Sequence, residues 1–392
     1  MTKAASYLDP LAEFVAGLPA EALPREAAER TKLIIADCVG AIVGGACEPE
    51  MEAFTRTLGG DSAGPATIIG TDRAAPPDRA ALVNGTAGTW LEMDEGNQFC
   101  KGHPGMHTFP AAFARAEELG ADGPGLIAAV ALGYEVGARV GTAASLRGSM
   151  HPHGTWGAIC AATAVARLAG ATAPAMRTTF NIASNLGLGT SRRTLLAGAT
   201  VRNAFAGISG QMGIVCAHMV DAGFSGERDG IAHVFGKVLS DSFDVEAMTD
   251  ELGSRWEVLR NYFKMHSCCR YNHAALDALH QIMAGSGDGP RPDDIAAIHV
   301  DTYALAVELD DPSPQNTLAA KFSLPFAIAT TLFHRDSGVA SFRWEAVRNP
   351  AVGELARKVA LREDKGMSAR LPHQRPARVR IAGNERDRPD LR

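Results

Sequence analysis

Residues 158–171 read AICAATAVARLAGA, a run of small apolar side chains at helical spacing that closes on glycine. Such a stretch hides most of its circumference, and its Ala/Gly lining lets neighbouring helices approach closely. The same spacing recurs over Arg25–Gly45, Asp78–Asp94, Gly125–Ala144, Thr155–Ala169 and Val201–Ala222, with punctuation such as GGDSAGP, RAAPPD and GADGPG between segments. These signals predict a mainly α protein whose larger part is an all-helical domain, residues 1–255. No short-period repeat points to a solenoid.

The character changes after about Trp256. The segments DIAAIHVDTYALAV and RPARVRIAG alternate apolar and polar residues with β-branched enrichment and read as strands, alongside short helices at His273–Ala284 and Ala319–Phe333. A smaller α+β domain, residues 256–382, is therefore expected. The final stretch, residues 383–392, is a polar tail with nothing to pack against a core. The cleft between two such domains is the default place for a site.

Composition narrows the function classes. Across 392 residues, 46% hydrophobic and 21% charged, the net charge is -6 and no Lys/Arg tract occurs, so nucleic acid is not an expected partner. The membrane candidate, LIIADCVGAIVGGAC at Leu33–Cys47, is short for a span and carries Asp37, which suits a buried helix. The N-terminal MTKAASYLDPLAEFVAGLP has acidic residues where an export signal needs its apolar stretch, which predicts a cytoplasmic protein. The seven cysteines include no CxxC spacing, so reduced thiols are expected rather than a zinc knuckle.

Four clusters carry possible chemistry. LEMDEGNQFCKGHPGMH, Leu91–His107, concentrates Glu92, Asp94, Glu95, Cys100 and two histidines. It reads as a polar surface loop, an acid/base site or a metal site. Pro104 suits the first turn of a helix and leaves His103 at the N-cap, which separates the rings of His103 and His107 and disfavours a metal pair. The free N–H groups of that helix start favour a bound carboxylate. GSMHPHGTWGA places His151 and His153 before another helix, aimed at a ligand or merely capping. NYFKMHSCCRYNHAALDAL places Lys264 and Arg270 before a third helix, as a carboxylate clamp or as structural ion pairs. GLGTSRRTLLAGATVRNA lacks the third glycine and the preceding strand of a dinucleotide fingerprint, and its Arg192, Arg193 and Arg202 face substrate or water, the sequence alone leaning to water. Tyr134 and Arg139 in GYEVGARVG read as buried structural residues.

In order along the chain, LEMDEGNQFCKGHPG, GYEVGARVG, HPHGTWGAICAATAVARLAG, RRTLLAGATVRNAFAG, KMHSCCRYNHAALDA and AAKFSLPFAIA resemble the MmgE/PrpD family. That family includes 2-methylcitrate dehydratase, cis-aconitate decarboxylase and iminodisuccinate epimerase. The resemblance implies a large helical domain, a smaller lid-like α+β domain, a homodimer, and chemistry with neither metal nor organic cofactor. It implies catalytic roles for His103, His151 and Lys264, with Asp94 and Glu92 on the family's acidic run, and substrate-binding roles for Arg193, Glu95, His153 and Arg270. Arg193 falls where relatives often place a lysine, and His153 where threonine is common. The implied activity is that of a lyase, a hydro-lyase of the 2-methylcitrate dehydratase type, on a small di- or tricarboxylic acid, with epimerisation, decarboxylation or a non-catalytic role as alternatives. Removing the proton beside a carboxylate adds charge to an anion, so cations and a base/acid pair must surround it.

Overall fold

The computed structural model describes residues 7–59, 63–285 and 289–383, in two compact units. The polar tail expected after the last strand lies outside the described residues except for Gly383. The first unit comprises residues up to Arg192 and Val201–Phe263; the second comprises Arg193–Thr200 and everything from Lys264.

The first unit is helical, as the periodicity predicts. In chain order it holds α1 (Leu8–Gly17), α2 (Arg25–Ala46), α3 (Pro49–Gly59), α4 (Pro77–Trp90), α5 (Pro104–Leu119), α6 (Gly123–Ala143), α7 (Gly157–Leu168) and α8 (Ala173–Ala183). After α9 (Arg193–Leu196), which belongs to the second unit, come α10 (Phe205–Asp221) and α11 (Gly230–His233). Prolines open α4, α5, α6 and α8, where a missing N–H costs nothing. Asp122 and Thr172 cap α6 and α8 by accepting from Gly125 and Ala175.

Helices α4, α5, α6, α7 and α10 pack on one another around an alanine-lined core that includes Ala81, Ala111, Ala161, Val165 and Ile214. Close approach is what the small residues provide: a Cβ on Gly85 of α4 would meet the backbone of Gly207 of α10 at 2.7 Å. Among the described residues α6 alone is long and apolar enough to cross a membrane, and 83% of its apolar window is buried within the protein. Three two-stranded antiparallel ribbons, which the periodicity does not signal, add to the helices: β1 (Ala66–Thr67) with β2 (Ala74–Ala75), β3 (Gly96–Asn97) with β6 (Asn261–Tyr262), and β4 (Ala144–Leu146) with β5 (Ser240–Phe243).

The second unit is α+β. Its three-stranded sheet has the order β8-β7-β9, with β7 (Ile295–Thr302) parallel to β8 (Val359–Glu363) and antiparallel to β9 (Ala377–Gly383). Both expected strands are present, the first ending at Thr302 so that its expected continuation is a short helix, α13 (Ala304–Val307), and β8 is additional. Ile298, Val300 and Val379 face a core shared with α12 (His273–Gly285) and α15 (Leu324–His334). Leu195 of α9 is part of this core, which is why residues 193–200 belong here. The single helix expected over Ala319–Phe333 is two, α14 (Thr317–Lys321) and α15, because Ser323 caps Phe326 and Pro325 opens a new first turn.

Candidate active site

The acidic loop folds inward rather than facing water. Glu92, Asp94 and Glu95 are all buried. Glu92 is held with φ at 53°, an uncommon left-handed conformation for a residue with a side chain, and its carboxylate pairs with the buried guanidinium of Arg202. The expectation that Arg202 leans towards water is thereby corrected. An arginine and a glutamate 110 residues apart satisfy one another inside the first unit.

Glu95 sits on the start of α5. Its Oε1 accepts from Gly105 N–H at 2.7 Å and its Oε2 from the Tyr134 hydroxyl at 3.1 Å, while its own N–H donates to Asp37 Oδ2 at 2.8 Å. The Gly105 N–H, one of those expected to be open at this helix start, is thus occupied by the chain's own carboxyl. Burial, reinforced by the neighbouring charges of Asp37 and Asp94 against the pull of Gly105, holds the Glu95 carboxyl well above the usual carboxylate range. Tyr134 and Arg139 are structural, as expected. Arg139 pairs with Glu135 one turn back in α6 at 2.7 Å and joins the helix to a distant loop through the Asp250 carbonyl at 2.7 Å.

His103 is the α5 N-cap residue, as Pro104 predicts. Its Nδ1 lies 2.6 Å from the Glu95 carbonyl and 3.2 Å from Asp94 Oδ2. A carbonyl only accepts, so Nδ1 carries the proton and the neutral ring has its lone pair on Nε2. The second histidine turn meets this first one. Thr190 Oγ1 donates to the carbonyls of His151 at 2.6 Å and His153 at 3.1 Å, and Gly154 takes φ of 91°, a turn that glycine adopts readily. The His153 ring stands edge-on to His103 at 5.2 Å, 4.6 Å from His107 and 5.8 Å from His151, with Phe205 beside it at 6.3 Å.

The rings are held in defined tautomers. His151 Nδ1 accepts the His153 N–H at 3.0 Å, which puts the proton of a neutral His151 on Nε2. His107 Nε2 and His153 Nδ1 are 3.1 Å apart. Burial pulls His107 down to about 3, with the charges of His103 and Arg202 adding to it, and burial together with Arg202 holds His151 and His153 well below the usual imidazole range. These three rings are neutral at neutral pH. His107, set aside in the sequence as half of an unlikely metal pair, is the residue that reading missed: its partner lies 46 positions away. Among the described residues no group of three His, Cys, Asp or Glu side chains is placed to hold a metal ion.

The predicted cationic residues belong to the second unit. Lys264 is buried, Arg270 is half-buried in the turn before α12, and Arg193 is exposed at the start of α9. Burial lowers the α12 residue His273 to about 2, and the nearby charges of His266, Arg270 and Lys264 push it further. His266 bonds Ser337 Oγ through Nδ1 at 2.6 Å and Asp277 Oδ1 through Nε2 at 3.0 Å, and His280 Nε2 meets the same hydroxyl at 2.9 Å. Thus His103, His151, His153, Asp94 and, behind them, Glu92 and Glu95 gather in the first unit, and Lys264 with Arg270 near His273 in the second.

Residues 9–247 match the MmgE/PrpD N-terminal domain and residues 266–390 the MmgE/PrpD C-terminal domain. Similar proteins include a cis-aconitate decarboxylase of Aspergillus terreus, 22% identical over 408 residues, covering 96% of this chain and 82% of the relative. A second from Aspergillus terreus strain NIH 2624 / FGSC A1156 is 22% identical over 377 residues, covering 89% and 76%. A cis-aconitate decarboxylase-like protein of Aspergillus oryzae is 24% identical over 320 residues, covering 76% and 65%.

Proposed function

The chain belongs to the MmgE/PrpD family, and from that premise we propose that it is a lyase on a small di- or tricarboxylic acid, adding or removing water next to a carboxylate. The observation that carries this reading is the orientation of His103, whose Nδ1–H is held by the Glu95 carbonyl with the Asp94 carboxylate 3.2 Å away. A ring so held offers Nε2 as a base, and Asp94 stabilises the imidazolium once it forms. His103 takes the proton from the carbon beside the carboxylate. His151, neutral and with its proton on Nε2, donates to the oxygen on which charge develops, as a neutral imidazole can. The carbon–oxygen bond then breaks, the electron pair of the former C–H bond becomes the double bond, and the proton on His103 leaves with the hydroxide as water. The family resemblance assigns Lys264, Arg193 and Arg270 to the substrate's carboxylates, each well-placed donor contributing about 3 to 4 kcal/mol.

Decarboxylation is the second reading, favoured by the names of the relatives. It needs the same pair, because the carbanion left by CO₂ must be protonated. NMR of a panel of polycarboxylates incubated with the protein separates loss of water, loss of CO₂ and inversion at a stereocentre. Turnover that survives both His103→Ala and Lys264→Ala refutes the assigned roles.

A further inference from the structure

The second unit holds a cavity of its own. About 290 Å³ opens between the turn at residues 312–315, α15 and two short helices, α16 (Trp344–Val347) and α17 (Pro350–Ala356). That is near the lower end of the roughly 300 to 1,000 Å³ that small-molecule sites span. Buried Pro314 and Phe326 and half-buried Val347 give it an apolar side. Arg348 and Arg357, both exposed, give it a charged one, and no aspartate or glutamate is among its lining residues. Among the described residues neither guanidinium has a carboxylate partner; that of Arg348 is steadied instead over the Trp344 ring, 4.6 Å from its centroid. The acid that precedes the turn, Asp311, is engaged with the Ser313 N–H at 2.8 Å.

Gly353 lines the cavity from the middle of α17, a position where glycine weakens a helix. Neither backbone nor neighbours demand it there. A Cβ at Gly353 would meet nothing nearer than Arg357 Nη1 at 3.8 Å. The chain thus leaves volume open beside two positive charges that no acid of its own offsets. We propose that this cavity binds a small organic carboxylate with a hydrocarbon body. Arg348 and Arg357 hold the carboxylate, whose two oxygens suit the guanidinium fork. The body lies over Gly353, against Phe326, Pro314 and Val347. Asn349 adds a donor: its Oδ1 accepts the Ala351 N–H at 3.0 Å, which leaves the Nδ2 hydrogens for a ligand oxygen. An inorganic anion would leave the apolar side wet, and a neutral hydrocarbon would leave the guanidiniums unmatched. The site uses none of the groups assigned to the reaction above.

Calorimetric titration of the full chain with phenylacetate, its neutral amide phenylacetamide and inorganic phosphate tests the proposal. Phenylacetate is expected to bind at least about tenfold more tightly than either of the others. Gly353→Leu fills the cavity without touching a charge, and should lower phenylacetate affinity at least about tenfold. Phenylacetamide binding as tightly as phenylacetate, phosphate binding as tightly, no phenylacetate binding at all, or undiminished binding by Gly353→Leu each overturns the proposal. Should Gly353→Leu fail to fold, Arg348→Gln combined with Arg357→Gln decides, because both side chains are exposed. A loss of phenylacetate affinity of about tenfold or more supports the site, and an unchanged affinity refutes it.

Discussion

The two groups of histidines, one in each unit, differ in how their ring nitrogens are used. In the second unit His266 has a side-chain partner on each nitrogen, and it stacks on His280 with planes 7° apart over the shared Ser337 hydroxyl. In the first unit each of His103 and His151 is anchored through Nδ1, and His153 leaves a buried nitrogen unmet. A ring closed on both sides behaves as a structural strut. A ring anchored through one nitrogen has the protonation state of the other defined. The residue type is the same; what separates the two groups is which neighbours, donor or acceptor, surround each ring.

That contrast can be broken by substitution. The largest effect is expected at His103, where His103→Ala should lower kcat by about 10²- to 10⁴-fold with the circular dichroism spectrum unchanged. Activity near the wild-type level would show that the anchored ring does no chemistry. Next comes the ion pair behind the cluster. Arg202→Met should destabilise by about 3 to 5 kcal/mol in urea titration, because it strands the Glu92 carboxylate in the interior, and adding Glu92→Leu should recover much of the loss.

Acidification sharpens the comparison through His107, pushed down to about 3 from 6.5. The unfolded chain binds a proton near pH 6.5 that the folded ring refuses, so this stability is present above 6.5 and is lost as pH falls. His107→Phe should therefore gain on the wild type by about 1.4 kcal/mol per pH unit below 6.5, measured by denaturant melts at several pH values. The smallest effect belongs to the closed group. His280→Gln removes one bond to Ser337 and should cost about 1 kcal/mol, leaving kcat unchanged.

Much of this was legible in the sequence. Helical spacing marked the long helices, Pro104 the α5 start and the N-cap position of His103, and alternation β7 and β9, whereas the expected boundary at residue 256 missed that 256–263 belong to the first unit and 193–200 to the second. What escaped has a common physical cause. The Arg202–Glu92 pair and the His107–His153 bond span 110 and 46 residues, and a local pattern reports nothing about such partners. The acidic loop misled for the same reason: its charge reads as a solvated surface until Tyr134 and the α5 start are seen to receive Glu95. Strand β8 was missed because its central residues are half-exposed or exposed, which blunts the alternation of a half-buried strand. Ser323 and Pro325 did carry the signal that ends one helix and begins another, a capping residue followed by a proline in the first turn.

The eight residues from Arg193 to Thr200 leave the first unit and return to it, having lodged Leu195 among the aliphatic side chains of the second. Severing the polypeptide before Lys264 would therefore not yield two self-sufficient proteins. The C-terminal fragment would lack both that leucine and the Gly198 carbonyl to which Asn316 donates. Its hydrophobic interior would be missing a piece that ribosomes deliver earlier in translation, so gene shuffling that swaps this half alone must carry the octapeptide along with it.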